Sequence, residues 1–512
     1  MSANLHASLP ASRDDGADSL SVAVDGGLIA GLREPQGGVR AFLGIPYAAP
    51  PLGPLRWRPP QPVAGWRGLR PARALAPQCL QPGRPADSVY AEYAGVQPMS
   101  EDCLYLNVWS AAPDADARWP VMVWFHGGAF QQGAGSNPVF VRGDLPRHGV
   151  VLVTFNYRLG PFGFMAHPAL SAESAQGASG NYGLLDMAAA LGWVRRNIAA
   201  FGGDPDCVTI FGQSAGAAGI VDMMAAPRTR GLFARAIAQS FGITRMSTLA
   251  EAERSGAAFA ERNGVTGLAP LRELDGKVLL ARYLERPERW MPIVDGDFVE
   301  RPVREIFADG RQDPVPFMTG WNADEGTTFA AAADAAEFRA RLRARFGERA
   351  GEAEKLYPCD SDANARAASL ELIGDELFAS GVWRAARDQA RIAPTYVYHF
   401  DHRQPFGPQQ RFHEAEKAAD LGVFHSAEYP YVFGSTAVLT RAWGGADRRM
   451  TELMQAWWLQ FARQGNPNRP ELPYWPQFVD DAATATVMRL AADPGPIDVP
   501  RRSHLAFADR AT

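Results

Sequence analysis

Gly212-Gln213-Ser214-Ala215-Gly216 is a G-x-S-x-G arrangement, the spacing in which a serine oxygen can act as a nucleophile. The serine must stand on a tight turn between a strand and a helix, where side chains at the flanking glycines would clash. The segments around it fit. Val208–Phe211 (V-T-I-F) is β-branched and aromatic, and 215–225 (A-G-A-A-G-I-V-D-M-M-A) suits a helix. That helix would aim its first N–H groups at a reacting carbonyl. A serine hydroxyl is a weak nucleophile near neutral pH and needs a base.

Five of the nine histidines follow Ser214: His399, His402, His413, His425 and His504. His425 is favoured as the base, because it lies between Val423-Phe424 and Tyr-Pro-Tyr-Val-Phe, a setting that buries it. His399 falls inside a predicted strand and should pack. His402 and His413 fall in polar loops, and His504 lies in the tail. For the acid, Glu325 and Asp324 both follow a predicted strand at Val315–Thr319. Loops beyond strand C-termini hold the active sites of open α/β sheets. The motif alone leaves the two carboxylates undecided. His413-Glu-Ala-Glu-Lys lacks the second histidine of a zinc-binding helix, so no metal is expected.

The elements that must position these groups alternate. Strand-like runs stand at Pro120–Phe125, Val150–Phe155 and Val208–Phe211, with helices at about 183–200 and 215–225. Short, wholly apolar runs suit strands covered on both faces. Such alternation implies a mostly parallel sheet with helices on either side. Later elements are a strand at Thr395–Phe400 and a helix at about Asp447–Arg463. The Ala- and Arg-rich stretch 330–391 reads as a helical insertion. Residues 1–19 read as a disordered tail, and 20–512 as one catalytic domain.

Composition excludes several classes. The net charge of −5 over 512 residues, without a basic run, gives no case for nucleic acid. No apolar stretch approaches the ~20 residues of a membrane span. The N-terminus lacks the charged start and apolar run of a signal peptide, which favours the cytoplasm.

Across the chain the sequence resembles the type-B carboxylesterases, which include cholinesterases and bacterial p-nitrobenzyl esterases. The resembling segments include A-F-L-G-I-P-Y-A at 41–48, S-E-D-C-L-Y-L-N-V-W at 100–109 and H-G-G-A-F at 126–130. They continue with N-Y-R-L-G-P-F-G-F at 156–164, F-G-G-D-P-D-C-V-T-I-F-G-Q-S-A-G at 201–216 and G-W-N-A-D-E-G at 320–326. G-V-F-H-S-A-E-Y-P-Y-V-F-G at 422–434 and F-A-R-Q-G-N-P-N at 461–468 complete the set. The resemblance implies the α/β-hydrolase fold, with inserted helices over the active site, and a cofactor-free serine esterase acting through an acyl-enzyme. It implies Ser214 as nucleophile, Glu325 as acid and His425 as base. It implies an oxyanion hole from the backbone N–H groups of Gly128, Ala129 and Ala215.

Gln213 stands where the family usually has Glu. A carboxylate there would favour cationic substrates and a protonated histidine, so a neutral, apolar small-molecule ester is expected. Ser240 matches a serine that supports the triad, or simply ends a helix. Arg56 with Glu101 and Arg158 with Asp186 match structural ion pairs. Cys79 and Cys103 match a disulfide worth about 3 kcal/mol; such a bridge would favour a periplasmic or secreted protein. Phe130, Phe241, Phe329 and Phe424 could line an apolar pocket. The same triad would serve an amide- or carbamate-cleaving hydrolase, and some relatives with a broken triad are non-catalytic binding proteins.

Overall fold

The structure is a computed structural model that describes residues 20–511, except 36, 37, 244, 266, 482 and 483. The expected tail at 1–19 lies outside the described residues. Eleven strands form the central sheet: β1 (Leu32–Arg33), β2 (Arg40–Pro46), β3 (Tyr105–Ser110), β4 (Trp119–Phe125), β5 (Val151–Phe155) and β6 (Gly203–Gln213). The rest are β7 (Arg235–Gln239), β8 (Phe317–Asn322), β9 (Thr395–Phe400), β10 (Thr486–Leu490) and β11 (Gly495–Asp498). Their spatial order is β11-β10-β9-β8-β7-β6-β4-β5-β3-β2-β1. The run from β10 to β5 is parallel throughout; the pairings outside it are antiparallel.

The parallel strands are covered on both faces, which is why they read as unbroken apolar runs. Val121, Met122, Val123, Trp124 and Phe125 of β4 are all fully buried. Alternate residues feed two large apolar clusters, Val121 and Val123 on one face and Met122 and Trp124 on the other. On the first face lie α1 (Tyr182–Asn197) and α2 (Ala215–Ala225), whose apolar residues join that cluster. Between β8 and β9 come the inserted helices α3 (Ala335–Phe346), α4 (Asp362–Gly374) and α5 (Ser380–Ala390). The long α6 (Gly445–Gln464) packs Trp457, Trp458 and Phe461 into the opposite cluster.

Two buried ion pairs tie the loops to this frame. Arg158 grips Asp186 of α1 through Nε and Nη2, at 2.8 and 2.7 Å. Arg56 holds Glu101 in the same two-pronged way, at 2.7 and 2.6 Å. Both are the pairs that the sequence suggests.

What positions the site is the register of the strand ends. Phe125 of β4 pairs with Gly212 of β6, and Gln213 with Gln239 of β7. Gln239 pairs in turn with Gly320 of β8, and Gly320 with Tyr398 of β9. One transverse row therefore brings the C-terminal ends of five parallel strands side by side.

Candidate active site

Ser214 sits directly between β6 and α2 with φ 57° and ψ −125°. That left-handed turn is costly for a residue with a Cβ and persists only where the surroundings impose it. The flanking glycines permit it. A Cβ at Gly216 would overlap the Phe125 carbonyl oxygen, and one at Gly212 would lie 2.7 Å from the same oxygen. The turn is thus pressed against the end of β4, and its serine opens onto a cavity of about 340 Å³.

His425 lines the same cavity. Its Nδ1 is 2.6 Å from Oε2 of Glu325, and both side chains are buried. The other carboxylate oxygen of Glu325 accepts the Asn322 N–H at 2.7 Å, which fixes the acid against the end of β8. Asp324 turns elsewhere and accepts the Val423 N–H at 2.7 Å. The structure therefore separates the two carboxylates that the motif left open.

The imidazole is held on its faces. The Gln213 amide nitrogen is 3.2 Å from Nδ1 and 3.0 Å from Nε2. In-plane lone pairs of the two ring nitrogens diverge, so one donor near both must lie over the ring. Phe378, in the wider helical turn Asp375–Ala379 between α4 and α5, stacks on the ring with centroids 4.1 Å apart. With Nδ1 turned to Glu325, the in-plane position at Nε2 has no partner among the described residues. Tyr90 donates to the His425 carbonyl oxygen at 3.1 Å, and Tyr429 donates to Oε1 of Gln213 at 2.6 Å. Tyr429 is buried and Tyr90 half-buried, and loss of water around both phenols raises their pKa values and keeps them protonated donors. Among the described residues Ser214 Oγ makes no hydrogen bond. Catalytic hydrogen bonds are commonly long in ligand-free enzymes and tighten around the reacting group.

The loop after β4 supplies a strained backbone. Gly128, Ala129 and Phe130 all have positive φ, at 118°, 56° and 59°. A Cβ at Gly128 would overlap the Gln132 carbonyl oxygen, so only glycine fits there. The Gly128, Ala129 and Ala215 N–H groups make no backbone hydrogen bond among the described residues, and all three residues line the cavity. Beside them His126 is buried and stacked on Tyr157 at 4.3 Å. Burial, with the positive charge of Arg84 adding to it, pushes its pKa down to about 4, so it is neutral.

A family model described as the carboxylesterase family matches residues 18–507. The chain belongs to the carboxylesterase family. It is 39% identical over 460 residues to the fumonisin B1 esterase of Sphingopyxis macrogoltabida, covering 86% of this chain and 82% of that one. It is 34% identical to the para-nitrobenzyl esterase of Bacillus subtilis, covering 88% of this chain and 92% of that one. A solved PNB esterase structure superposes with a TM-score of 0.80 at 33% identity, covering 95% of this chain and 99% of that one. The protein is therefore a carboxylic-ester hydrolase with the α/β-hydrolase fold.

Not every expected residue of this carboxylesterase lies where the sequence suggested. Ser240 follows β7 rather than a helix; its φ is 52°, and its buried hydroxyl bonds neither Glu325 nor His425 among the described residues. Phe130, Phe241 and Phe329 line the cavity, whereas Phe424 is core, edge-on to Tyr90. His402 is buried against Asp447 at 2.9 Å rather than free in a polar loop. His399 packs on β9 as expected, and burial lowers its pKa to about 4. Cys79 and Cys103 are buried side by side, with their sulfurs 2.8 Å apart. Sequence reasoning missed Tyr429, Phe378 and the two arginines of the cavity wall, Arg84 and Arg289. No local motif marks Phe378 or either arginine, whereas Tyr429 lies within the resembling segment at 422–434. It also missed Glu428, a buried carboxylate that accepts from Asn322 and Gln239 at 2.8 and 3.0 Å.

Proposed function

We propose that this carboxylesterase acts by two-step acyl transfer, with Ser214 as nucleophile, His425 as general base and Glu325 as the carboxylate that orients the imidazole. The observation that carries the reading is the 2.6 Å contact between Glu325 and His425 in one cavity with the strained Ser214 turn. Ser214 Oγ attacks the ester carbonyl and gives its proton to Nε2, the ring nitrogen turned away from Glu325. Glu325 holds the Nδ1–H tautomer and stabilises the imidazolium. The N–H groups of Gly128, Ala129 and Ala215 receive the developing oxyanion; losing one such donor costs about 3–4 kcal/mol of transition-state stabilisation. The protonated imidazole then donates to the departing alcohol. Water, activated at the same nitrogen, releases the acid and restores Ser214.

The phenylalanines of the wall give the cavity an apolar lining suited to the hydrocarbon part of a small ester. Among the described residues no cluster of His, Cys, Asp and Glu is suited to a metal ion, and the proposed chemistry needs none.

Parallel assays on p-nitrophenyl butyrate and butyryl p-nitroanilide test the ester reading against amide cleavage. Turnover of the ester, with the anilide slower by orders of magnitude, is expected. Comparable rates on the two would favour an amidase instead.

A further inference from the structure

We propose that the catalytic cavity is built for esters that carry a free carboxylate, with Arg84 and Arg289 as the counter-charges. The inference deepens the esterase reading above and rests on it.

Both arginines line the cavity that holds Ser214 and His425, and no aspartate or glutamate lines it. Neither guanidinium makes a salt bridge or a hydrogen bond among the described residues. This sets them apart from Arg245 of the adjoining cavity, which is paired with Glu251 at 2.6 Å. Arg84 is held instead by an aromatic ring, its guanidinium 5.5 Å from the centre of Tyr90. A ring face fixes a cation without using its N–H donors. Tyr90 is the residue that anchors the His425 carbonyl, so the free donors of Arg84 are tied to the catalytic centre.

The carboxylate whose charge reaches Arg84 is already engaged. Glu414 takes the Ser88 hydroxyl and the Val89 N–H, the start of the Tyr90 segment. Arg84 is half-buried, and that burial lowers its pKa although the charge of Glu414 raises it, so its cation is only partly compensated. A neutral ester would desolvate it further and return nothing. A carboxylate would receive a two-pronged, charge-assisted bond. Arg289 also lines the adjoining cavity of about 300 Å³, which Arg84 does not reach. The two cations thus address different parts of a bound molecule and add to one field. With Gln213 in place of an acid, nothing on the cavity wall opposes that field.

The test is a set of matched substrates followed by pH-stat. Monoethyl adipate is compared with ethyl hexanoate, which places the carboxylate on the acyl arm. 4-Acetoxybutanoate is compared with butyl acetate, which places it on the alcohol arm. The wild-type enzyme should favour the anion in at least one pair, by about tenfold in kcat/KM. The excess should shrink as sodium chloride rises from roughly 50 to 500 mM. Arg84→Gln and Arg289→Gln should lower the anion-to-neutral ratio, and Arg84→Lys should retain part of it. Because each ratio is internal to one enzyme preparation, partial misfolding of a variant does not alter it. A wild-type ratio at or below one in both pairs would overturn the proposal. So would a ratio unchanged in both single variants and in the double variant. Failure to hydrolyse any of the four esters would instead count against the esterase reading itself.

Discussion

At the scale of single residues, the imidazole of His425 is constrained on three sides: Glu325 at Nδ1, the Gln213 amide over one face and Phe378 stacked on the ring. Gln213 is the adjustable part. It is uncharged and buried, yet 3.0 Å from Nε2. Gln213→Glu would place a negative charge there and favour the protonated imidazole, which is the inactive form of a general base. The acid limb of kcat/KM on p-nitrophenyl acetate should move to higher pH by about one unit. Acetylcholine turnover should rise relative to phenyl acetate. An unmoved acid limb would show that position 213 does not act on the base. The residue motif was legible because its requirements are local: two glycines, a strand before and a helix after. The carboxylate partner was not, because Glu325 and Asp324 differ only in which loop their oxygens reach. That choice is made by Val423 and His425, about a hundred residues further on.

At the scale of elements, strand and helix types followed from periodicity, and their ends followed less well. The strand expected at Val315–Thr319 runs instead as Phe317–Asn322. Pro316 has no N–H to give a ladder, so pairing starts after it. The strand expected at Val208–Phe211 extends to Gly203–Gln213 through an irregular register between Gly203 and Val208. The helix after Ser214 spans Ala215–Ala225 as read. It carries one costly residue, Asp222, whose carboxylate is buried against the adjoining cavity without a hydrogen-bond partner among the described residues. Burial raises its pKa well above 3.8. The folded state then holds the proton more tightly than the unfolded state, so this group subtracts stability as pH rises above the ordinary carboxylate range. Asp222→Asn removes that dependence. Its melting temperature should match wild type near pH 4 and exceed it increasingly towards neutral, by about 1–2 °C per pH unit for a chain of this length. Thermal scans at three pH values check this. A difference that is constant, or that shrinks with rising pH, would mean the carboxylate is not buried uncompensated.

At the scale of the whole molecule, catalysis is a property of strand order. The site draws on the ends of β4, β6 and β8 and on the segment after β9, which the parallel sheet sets in one row. The sequence announced the sheet class through its apolar runs, because burial on both faces leaves that signature in composition. It did not announce the arginines of the cavity. A net charge of −5 says nothing about the sign inside one cavity, and Arg84 reaches its wall from a loop with no motif of its own. Nor did it announce Phe378, whose stack on His425 exists only once the insertion between β8 and β9 has folded back over the strand ends. The most direct test of the account is kcat on p-nitrophenyl butyrate for Ser214→Ala, with a thermal scan to confirm an intact fold. The account predicts a fall of roughly 10⁴- to 10⁶-fold. A folded variant that retains near-wild-type turnover would contradict it.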